Sequence, residues 1–518
     1  MLGGFILENN PLLNSIDILE KNQGELKPVT GIAYHSAKVD PGYLFVCIRG
    51  YKTDGHLYLE EALKKGAAAA IVEEFRQDVD ILQYRVKDSR LALAALANAY
   101  YDYPSTKFNL TGVTATNGKT TTTYMINTLL EEQGLKTGMV GTVIIKTGDK
   151  VRAAELTTPE SLDLQGYFQE MVKNKVSHAV MEVSSSGLEL KRVHGADFNI
   201  AVVNNISREH IDLHGSFEAY FKAKASLVRN AKETQWAVFN LDCPLTASLV
   251  SETKAKTFTY GIKKRDADCL VDNLDLSTGR ARFTVTINRK EPAEIFAKLP
   301  HSFEVELSVL GLHSVYNAMA ATLVGILQGI PVETIKRALY KFRGVERRFE
   351  LIFEDDYKVI DDHFANSGNI DVTLETLQMM DYNNLSFVYA IRGSRGVTVN
   401  RENAEAIARW APKLGLKRII ATTSSSHVGE KDLVTKEELN VFKEVMIESG
   451  LKTTIYKELP EAIAAGLSGM GKNDVLLLAG CQGMDYGASV CLEQIHNLKP
   501  HLPKATVFAA LKNRVAGV

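Results

Sequence analysis

A chain of 518 residues exceeds the size at which one hydrophobic core keeps growing, so about three domains are expected. Its 45% apolar and 24% charged residues are those of an ordinary globular protein and give no sign of disorder or fibrous structure. Sixty Lys and Arg against 62 Asp and Glu leave a net charge of −2, which gives no reason to expect nucleic acid or an anionic membrane as partner.

The N-terminal text MLGGFILENNPLL lacks a basic stretch followed by an apolar core, and no apolar run reaches the ~18–20 residues that span a bilayer. The five cysteines, Cys47, Cys243, Cys269, Cys481 and Cys491, are scattered and odd in number, unlike a zinc site or a disulfide framework. A cytoplasmic protein acting on small molecules, as a monomer or small homo-oligomer, is the expectation.

From Leu44 to Glu73, LFVCIRG, YLEEALKKG and AAAAIVEE read as strand, helix and strand. After Pro104, LTGVTAT reads as a strand, NGK as a turn and TTTYMINTLLEEQG as a helix with apolar positions at helical spacing. HAVMEV (178–183), NIAVVNNI (199–206) and WAVFNLD (236–242) are further strands between helical stretches, as in a doubly wound sheet. Residues 266–307 alternate, in ARFTVTI and AEIFAKL, and predict a β-rich lobe before a helix starting near Ser314. Beyond Gly344 a third α/β pattern carries strands near YKVID, LSFVYAI, RIIATT and DVLLLAG. The predicted organisation is α/β in three domains: a small N-terminal substrate domain (1–104), a central doubly wound sheet of P-loop ATPase type (105–340) and a C-terminal Rossmann-like domain (341–518).

Four segments carry chemistry. Thr114-Ala115-Thr116-Asn117-Gly118-Lys119-Thr120-Thr121 sits where strand gives way to helix, where backbone N–H groups and the positive helix end hold phosphates. Lys119 would reach the β- and γ-phosphates, Thr120 would offer a hydroxyl to Mg²⁺, and Gly118 would allow close backbone approach. Val113 stands where the strict eight-residue P-loop has its first glycine, and a bare G-K-T turn also occurs without a ligand. Met181 to Gly187 places Glu182 at a strand end, where it would either hold a hard cation or face solvent. Ser207 to Gly215 gathers His210, His214 and three charges behind a strand, a density that favours a site over structural histidines. Lys224 follows in the helical stretch EAYFKAKASLV, four residues from Tyr220, where a solvated lysine is the default. Arg392-Gly393-Ser394-Arg395-Gly396 would bind an anionic group of a second substrate or of ATP, or form a solvated basic turn.

Taken in order, these segments resemble the Mur ligase family, whose pattern is T-G-T-N-G-K-T-T, T-T-P, E-V-S-S, N-x-S-x-D-H-x-D-x-H-G with a downstream lysine, G-x-x-N-x-x-N and G-R-x-E. This chain shows TATNGKTT, Thr157-Thr158-Pro159, Glu182 to Ser185, Asn205 to Gly215, Lys224, Gly311 to Asn317 and Arg348-Phe349-Glu350. HSAKVDPGYLFVCIRGYKTDGH is similar to the subfamily that adds the third amino acid to UDP-N-acetylmuramoyl dipeptide. The resemblance implies an ATP-dependent amide ligase acting through an acyl phosphate in peptidoglycan synthesis. It puts Thr116, Asn117, Gly118, Lys119, Thr120 and Thr121 on the nucleotide phosphates, with Asn317 on adenine and Arg348 with Asp361 or Asp362 on the nucleotide. It makes Lys119, Glu182, His210 and Lys224 the catalytic set. Thr120, Glu182, His210 and a carbamylated Lys224 would hold Mg²⁺. Ser36, Thr157, Thr158, Ser184 and Arg192 would line the acceptor site, and Arg392 and Arg395 are the substrate-facing arginines.

Several departures fall on substrate-facing motifs, while the nucleotide motifs are nearly whole, with Ala115 in place of the loop's first glycine and Glu209 in place of the aspartate before His210. His35 and Ala37 replace the subfamily's aspartate and arginine, Ser186 a histidine, and Ser314 an asparagine. D-N-P-[RA], which selects the incoming amino acid, is replaced by Thr423-Ser424-Ser425-Ser426-His427, and G-K-G-H-E by Gly480-Cys481-Gln482-Gly483-Met484-Asp485. Diaminopimelate or lysine, the usual amines, are not supported by these residues. Two further readings stand beside the leading one: the same ligation on a carboxylate outside peptidoglycan, and a nucleotide-binding scaffold without catalysis. Retention of Lys119, Glu182, His210 and Lys224 together argues against the scaffold.

Overall fold

The computed structural model describes residues 10–50, 53–207, 214–289, 299–512 and 514, and the chain forms two compact units. The first comprises Met1–Lys119, Gln133–Phe239 and Cys243–Phe258; the second comprises Thr120–Glu132, Asn240–Asp242 and Thr259–Val518. The strands belong to sheets of five, eleven and six.

In the first unit, β1 (Glu20–Lys21), β2 (Gly31–Ala33), β3 (Tyr43–Val46), β4 (Ala69–Val72) and β5 (Gln83–Arg85) lie in the order β1-β5-β4-β3-β2. Both faces are covered. Leu44 and Val46 enter one core while Phe45 and Cys47 enter the other, which is why LFVC reads as a continuous apolar run. The helix Ser89–Tyr100 is capped by Asp88, whose side chain accepts the Arg90 and Leu91 N–H groups.

The same unit holds β6 (Asn109–Thr114), β7 (Thr137–Val140), β8 (Ile144–Thr147), β9 (Lys150–Ala153), β10 (His178–Glu182), β11 (Ile200–Val203) and β12 (Trp236–Asn240). Their order is β12-β11-β6-β10-β7-β8-β9. The first five are parallel and the β7-β8-β9 hairpins antiparallel. The carboxyl ends of β6, β10 and β11 therefore share one edge, with the order reversing around β6, where open α/β sheets bind ligands.

In the second unit, β14 (Cys269–Asp275), β15 (Arg280–Ile287) and β16 (Ser302–Leu310) form the expected β-rich lobe, paired antiparallel, and the helix Leu312–Leu327 follows it. AEIFAKL falls largely outside the described residues. The third sheet has β17 (Glu350–Glu354), β18 (Lys358–His363), β19 (Leu385–Ala390), β20 (Arg418–Thr422), β21 (Lys452–Tyr456) and β22 (Val475–Gly480), in the order β17-β18-β22-β19-β20-β21. β17 pairs antiparallel with β18, while the β18–β22, β22–β19, β19–β20 and β20–β21 pairs are parallel. β22 is central: Val475, Leu477 and Ala479 enter one core, Leu476 and Leu478 the opposite one.

Candidate active site

The loop after β6 is built around Asn205, which follows β11. Thr116 N donates to Asn205 O at 2.9 Å, Asn117 N to Asn205 Oδ1 at 2.9 Å, and Asn205 Nδ2 to Asn117 O at 2.8 Å. Thr116 Oγ1 accepts Ser207 N at 2.9 Å and lies 2.9 Å from Tyr220 Oη. Gly118 turns the chain into the helix Lys119–Glu132 with φ of +89°, a left-handed conformation that glycine adopts at little cost.

Two ammonium groups converge on this loop. Lys119 Nζ donates to Ala115 O at 2.8 Å and Thr116 O at 3.1 Å, while Lys224 Nζ donates to the same Ala115 O at 2.7 Å. Lys224 is 1% exposed and lies over the Tyr220 ring at 4.9 Å. The solvated lysine expected by default is therefore corrected: its helix, Phe217–Arg229, packs this face inward, and Tyr220 with the loop carbonyl replaces water. One buried and one half-buried cation beside a loop of backbone donors make an environment for polyphosphate.

Glu182, at the end of β10, is fully buried rather than solvent-facing. Its Oε1 accepts Thr142 N at 2.7 Å and its Oε2 accepts Thr142 Oγ1 at 3.1 Å. Thr142 Oγ1 lies 3.0 Å from Thr157 Oγ1. Thr158 Oγ1 donates to Glu182 O at 2.9 Å and accepts Ser184 N at 3.0 Å, and Arg192 Nη1 reaches Thr158 O at 3.1 Å. Ser184 Oγ caps the short helix Ser185–Glu189 through Gly187 N. Thus Glu182, Thr157, Thr158, Ser184 and Arg192 form one hydrogen-bonded group. Ser36 turns instead to Glu61, its Oγ donating at 2.8 Å to Glu61 Oε2. His210 lies outside the described residues. His214 is buried, 3.0 Å from Ser185 Oγ and 2.9 Å from Glu189 Oε2.

In the second unit Thr120 is buried, its O accepting Thr123 Oγ1 at 2.8 Å, and Asn317 Oδ1 accepts Thr122 Oγ1 at 3.1 Å. Thr121 follows Thr120 in the first turn of their helix. Asp361, fully buried, lies 2.5 Å from Arg514 Nη2 and 3.5 Å from Arg347 Nε. Asp362 accepts Phe349 N at 2.9 Å and the Thr373 hydroxyl; burial pushes its carboxyl above the usual range. Arg348 is half-buried, and burial with the charges of Arg347, Arg348 and Arg392 holds His363 well below its usual value.

Arg392 donates to Ala365 O, and Arg395 is half-exposed, 3.8 Å from Asp432. The backbone N–H groups of Ser394, Arg395 and Gly396 all donate to Glu438, at 3.0, 2.8 and 2.8 Å. An internal carboxylate thus fills the concavity that the basic turn offers an anion. Non-glycine residues with left-handed φ gather at this sheet edge: Arg347 (55°), Phe349 (52°), Ser394 (54°) and Ser424 (49°). Arg347 stands where G-R-x-E has glycine; its side chain holds Asp485, Gly480 O and Cys481 O. Such strain persists where surrounding bonds over-determine it, characteristically at functional edges. The two replaced motifs touch there: Ser424 Oγ donates to Gly483 O at 2.5 Å, and the His427 and Tyr486 rings lie 5.8 Å apart.

Sequence reasoning did not single out Thr142, Glu160, whose Oε1 accepts Arg192 Nε at 2.9 Å, Tyr220, Arg347 or Glu438. Tyr220 was signalled by its spacing to Lys224, and Glu438 by the capping box Thr435-Lys436-Glu437-Glu438. Thr142, Glu160 and Arg347 matter through tertiary partners with no local signature.

A strand, a glycine-turned loop and a helix on a doubly wound sheet, with two lysines on the loop, define a nucleotide-using α/β enzyme. The Mur ligase middle domain matches residues 113–325, and the Mur ligase family catalytic domain matches residues 28–101. The UDP-N-acetylmuramoyl-L-alanyl-D-glutamate–2,6-diaminopimelate ligase of Caldanaerobacter subterraneus subsp. tengcongensis is 35% identical over 90% of this chain and 93% of its own length. The protein of the same name from Bacillus velezensis is 34% identical over 87% and 89%. A solved structure of a ligase of that name aligns with a TM-score of 0.64 at 25% identity, covering 90% of this chain and 92% of its own. The chain belongs to the Mur ligase family and is an ATP-dependent ligase that forms amide bonds.

Proposed function

We propose that the chain activates the carboxylate of UDP-N-acetylmuramoyl-L-alanyl-D-glutamate with ATP and joins it to the amine of an amino acid other than diaminopimelate or lysine, in the cytoplasm. The observation that carries the ligation is the convergence of Lys119 and Lys224 on Ala115 O, beside the phosphate loop. A carboxylate oxygen would attack the γ-phosphorus, giving acyl phosphate and ADP; the amine would then attack the acyl carbon, lose a proton, and expel phosphate bearing that oxygen. Thr116 to Thr121 would hold the phosphates, and Asn317, Arg348, Asp361 and Asp362 the rest of the nucleotide.

Thr157, Thr158, Ser184 and Arg192 would face the acceptor with Ser36, since four of them share the Glu182 group. Arg392 and Arg395 would meet the amine substrate's carboxylate. The hydroxyl of Thr120, the carboxylate of Glu182 and a carbamylated Lys224 are hard oxygen donors that would suit Mg²⁺, and His210 would add a ring nitrogen. When bound, that ion would neutralise charge between phosphate and carboxylate oxygens. The domain boundaries would fall near 104 and 340, at the short 3₁₀ turn Pro104–Lys107 and the end of helix Val332–Lys341.

The choice of amine rests on the replacement of both selecting motifs by Thr423–His427 and Gly480–Asp485. Phosphate release should be measured with ATP, the UDP-dipeptide and each amino acid in turn. Turnover with an amino acid other than diaminopimelate or lysine supports the whole reading, preference for either of those two refutes the choice of amine, and failure with every amine refutes the acceptor.

A further inference from the structure

Glu160 occupies the N-cap of helix Ser161–Lys173, yet its side chain makes no hydrogen bond to that helix. A carboxylate at an N-cap ordinarily accepts one of the orphan N–H groups of the first turn. Here it faces two arginines instead. Oε1 takes Arg192 Nε at 2.9 Å and Nη2 at 2.8 Å, and Oε2 takes Arg90 Nη1 at 3.2 Å. All three side chains are only 12–14% exposed, so the pair is shielded from solvent and stronger than a surface ion pair.

Arg90 comes from the helix packed on the five-stranded sheet, and its Nε donates to Arg49 O at 3.1 Å. Beside it Tyr34 donates its hydroxyl to Asp163, in the first turn of the Glu160 helix. Arg192 uses its remaining bonded nitrogen on Thr158 O, and Thr158 ties to Glu182 O. One continuous set of bonds therefore runs from the five-stranded sheet, through Glu160, to the group around Glu182.

We propose that Glu160 is a positioning residue that sets the plane of the Arg192 guanidinium, so that Arg192 meets the acceptor carboxylate, and that Arg90 acts through Glu160 rather than on substrate. This rests on the reading of Arg192 as an acceptor contact. Three nitrogens of Arg192 are engaged with Glu160 and Thr158, which restricts the head group to one orientation before substrate arrives. Glu160→Gln keeps the shape but removes the charge that holds both arginines.

The test is steady-state kinetics and thermal unfolding of Glu160→Gln, Glu160→Asp, Arg90→Ala, Arg192→Ala and the Arg90→Ala/Glu160→Gln double variant. Substrates are ATP and the UDP-dipeptide, with the amino acid the wild type uses. Glu160→Gln should raise KM for the UDP-dipeptide about tenfold, the worth of one charge-assisted hydrogen bond, with KM for ATP unchanged, and should lower the midpoint temperature because two shielded arginines lose their shared carboxylate. Glu160→Asp should restore part of the loss. The double variant should be no worse than Glu160→Gln alone, because both act through one group.

An unchanged acceptor KM in Arg192→Ala, or no wild-type turnover of the UDP-dipeptide, removes the underlying reading. A raised KM in Arg192→Ala with a wild-type value in both Glu160 variants overturns this inference alone. A Glu160→Gln effect on ATP and acceptor alike would make the residue merely structural, and so would additive effects in the double variant.

Discussion

Gly141→Ala tests the placement of Glu182 without touching its chemistry. The φ of Gly141 is not positive, so alanine meets no backbone penalty, but its Cβ would stand 2.5 Å from Glu182 Oε1 and 3.3 Å from Cδ. Ordinary contact begins at 3.4 Å, so the carboxylate must retreat by about 1 Å. Glu182 is fully buried and holds Thr142 through both oxygens, which leaves it no open direction in which to swing. Overpacking of this kind costs ~1–3 kcal/mol of stability. A misplacement of about 1 Å at a reacting centre costs ~100-fold in rate. Phosphate release at saturating substrate should therefore fall by about two orders of magnitude while a nucleotide-binding titration stays near wild type. A Gly141→Ala enzyme with wild-type kcat would remove Glu182 from the catalytic set.

Lys119→Ala should abolish ATP turnover with the far-ultraviolet circular dichroism unchanged; retained turnover would defeat the assignment of the loop. His313, pushed down to about 4 by burial, stays neutral in the folded chain. The unfolded chain binds that proton below pH ~6.5, so stability is complete above this value and falls by ~1.4 kcal/mol per unit between ~6.5 and ~4. His313→Gln should flatten that acid limb in urea titrations, and an unaltered slope would contradict the burial argument. Glu438→Gln should lower stability by about 2 kcal/mol, as a charged acceptor of backbone N–H groups is lost. It should also raise KM for the amine but not for ATP; equal changes in both would detach the 392–396 loop from amine binding. Arg347→Gly should relieve about 1 kcal/mol of left-handed strain yet destabilise the chain overall, because Asp361 and Asp485 lose a cation. A more stable variant would refute the account of that edge.

Local periodicity carried much of the fold. LTGVTAT, NGK and the threonine-led helix are legible because strand, glycine turn and helix each depend on neighbours in sequence, and the structure has β6, Gly118 and Lys119–Glu132 there. The short strand β21 and the β8–β9 hairpin escaped a reading that looked for apolar runs: β8 alternates in burial, β21 has no fully buried residue, and β9 is wholly exposed. At the site, residue types were legible and their partners were not. The spacing of Tyr220 and Lys224 predicts a shared helix face, but which face turns inward depends on Ala115 and Thr114 more than a hundred residues away. Arg347 is harder still, since nothing local demands left-handed φ of an arginine. The basic turn at 392–396 looks open to anions because Glu438, which fills its backbone donors, lies 42–44 residues further along.

Transfer of the acceptor oxygen tests the central claim most directly. The UDP-dipeptide with ¹⁸O in its free carboxylate should be turned over with ATP and the preferred amino acid, and the released phosphate analysed by mass spectrometry. Activation through acyl phosphate predicts ADP and phosphate carrying one ¹⁸O per amide formed; unlabelled phosphate, or AMP with pyrophosphate, would contradict it.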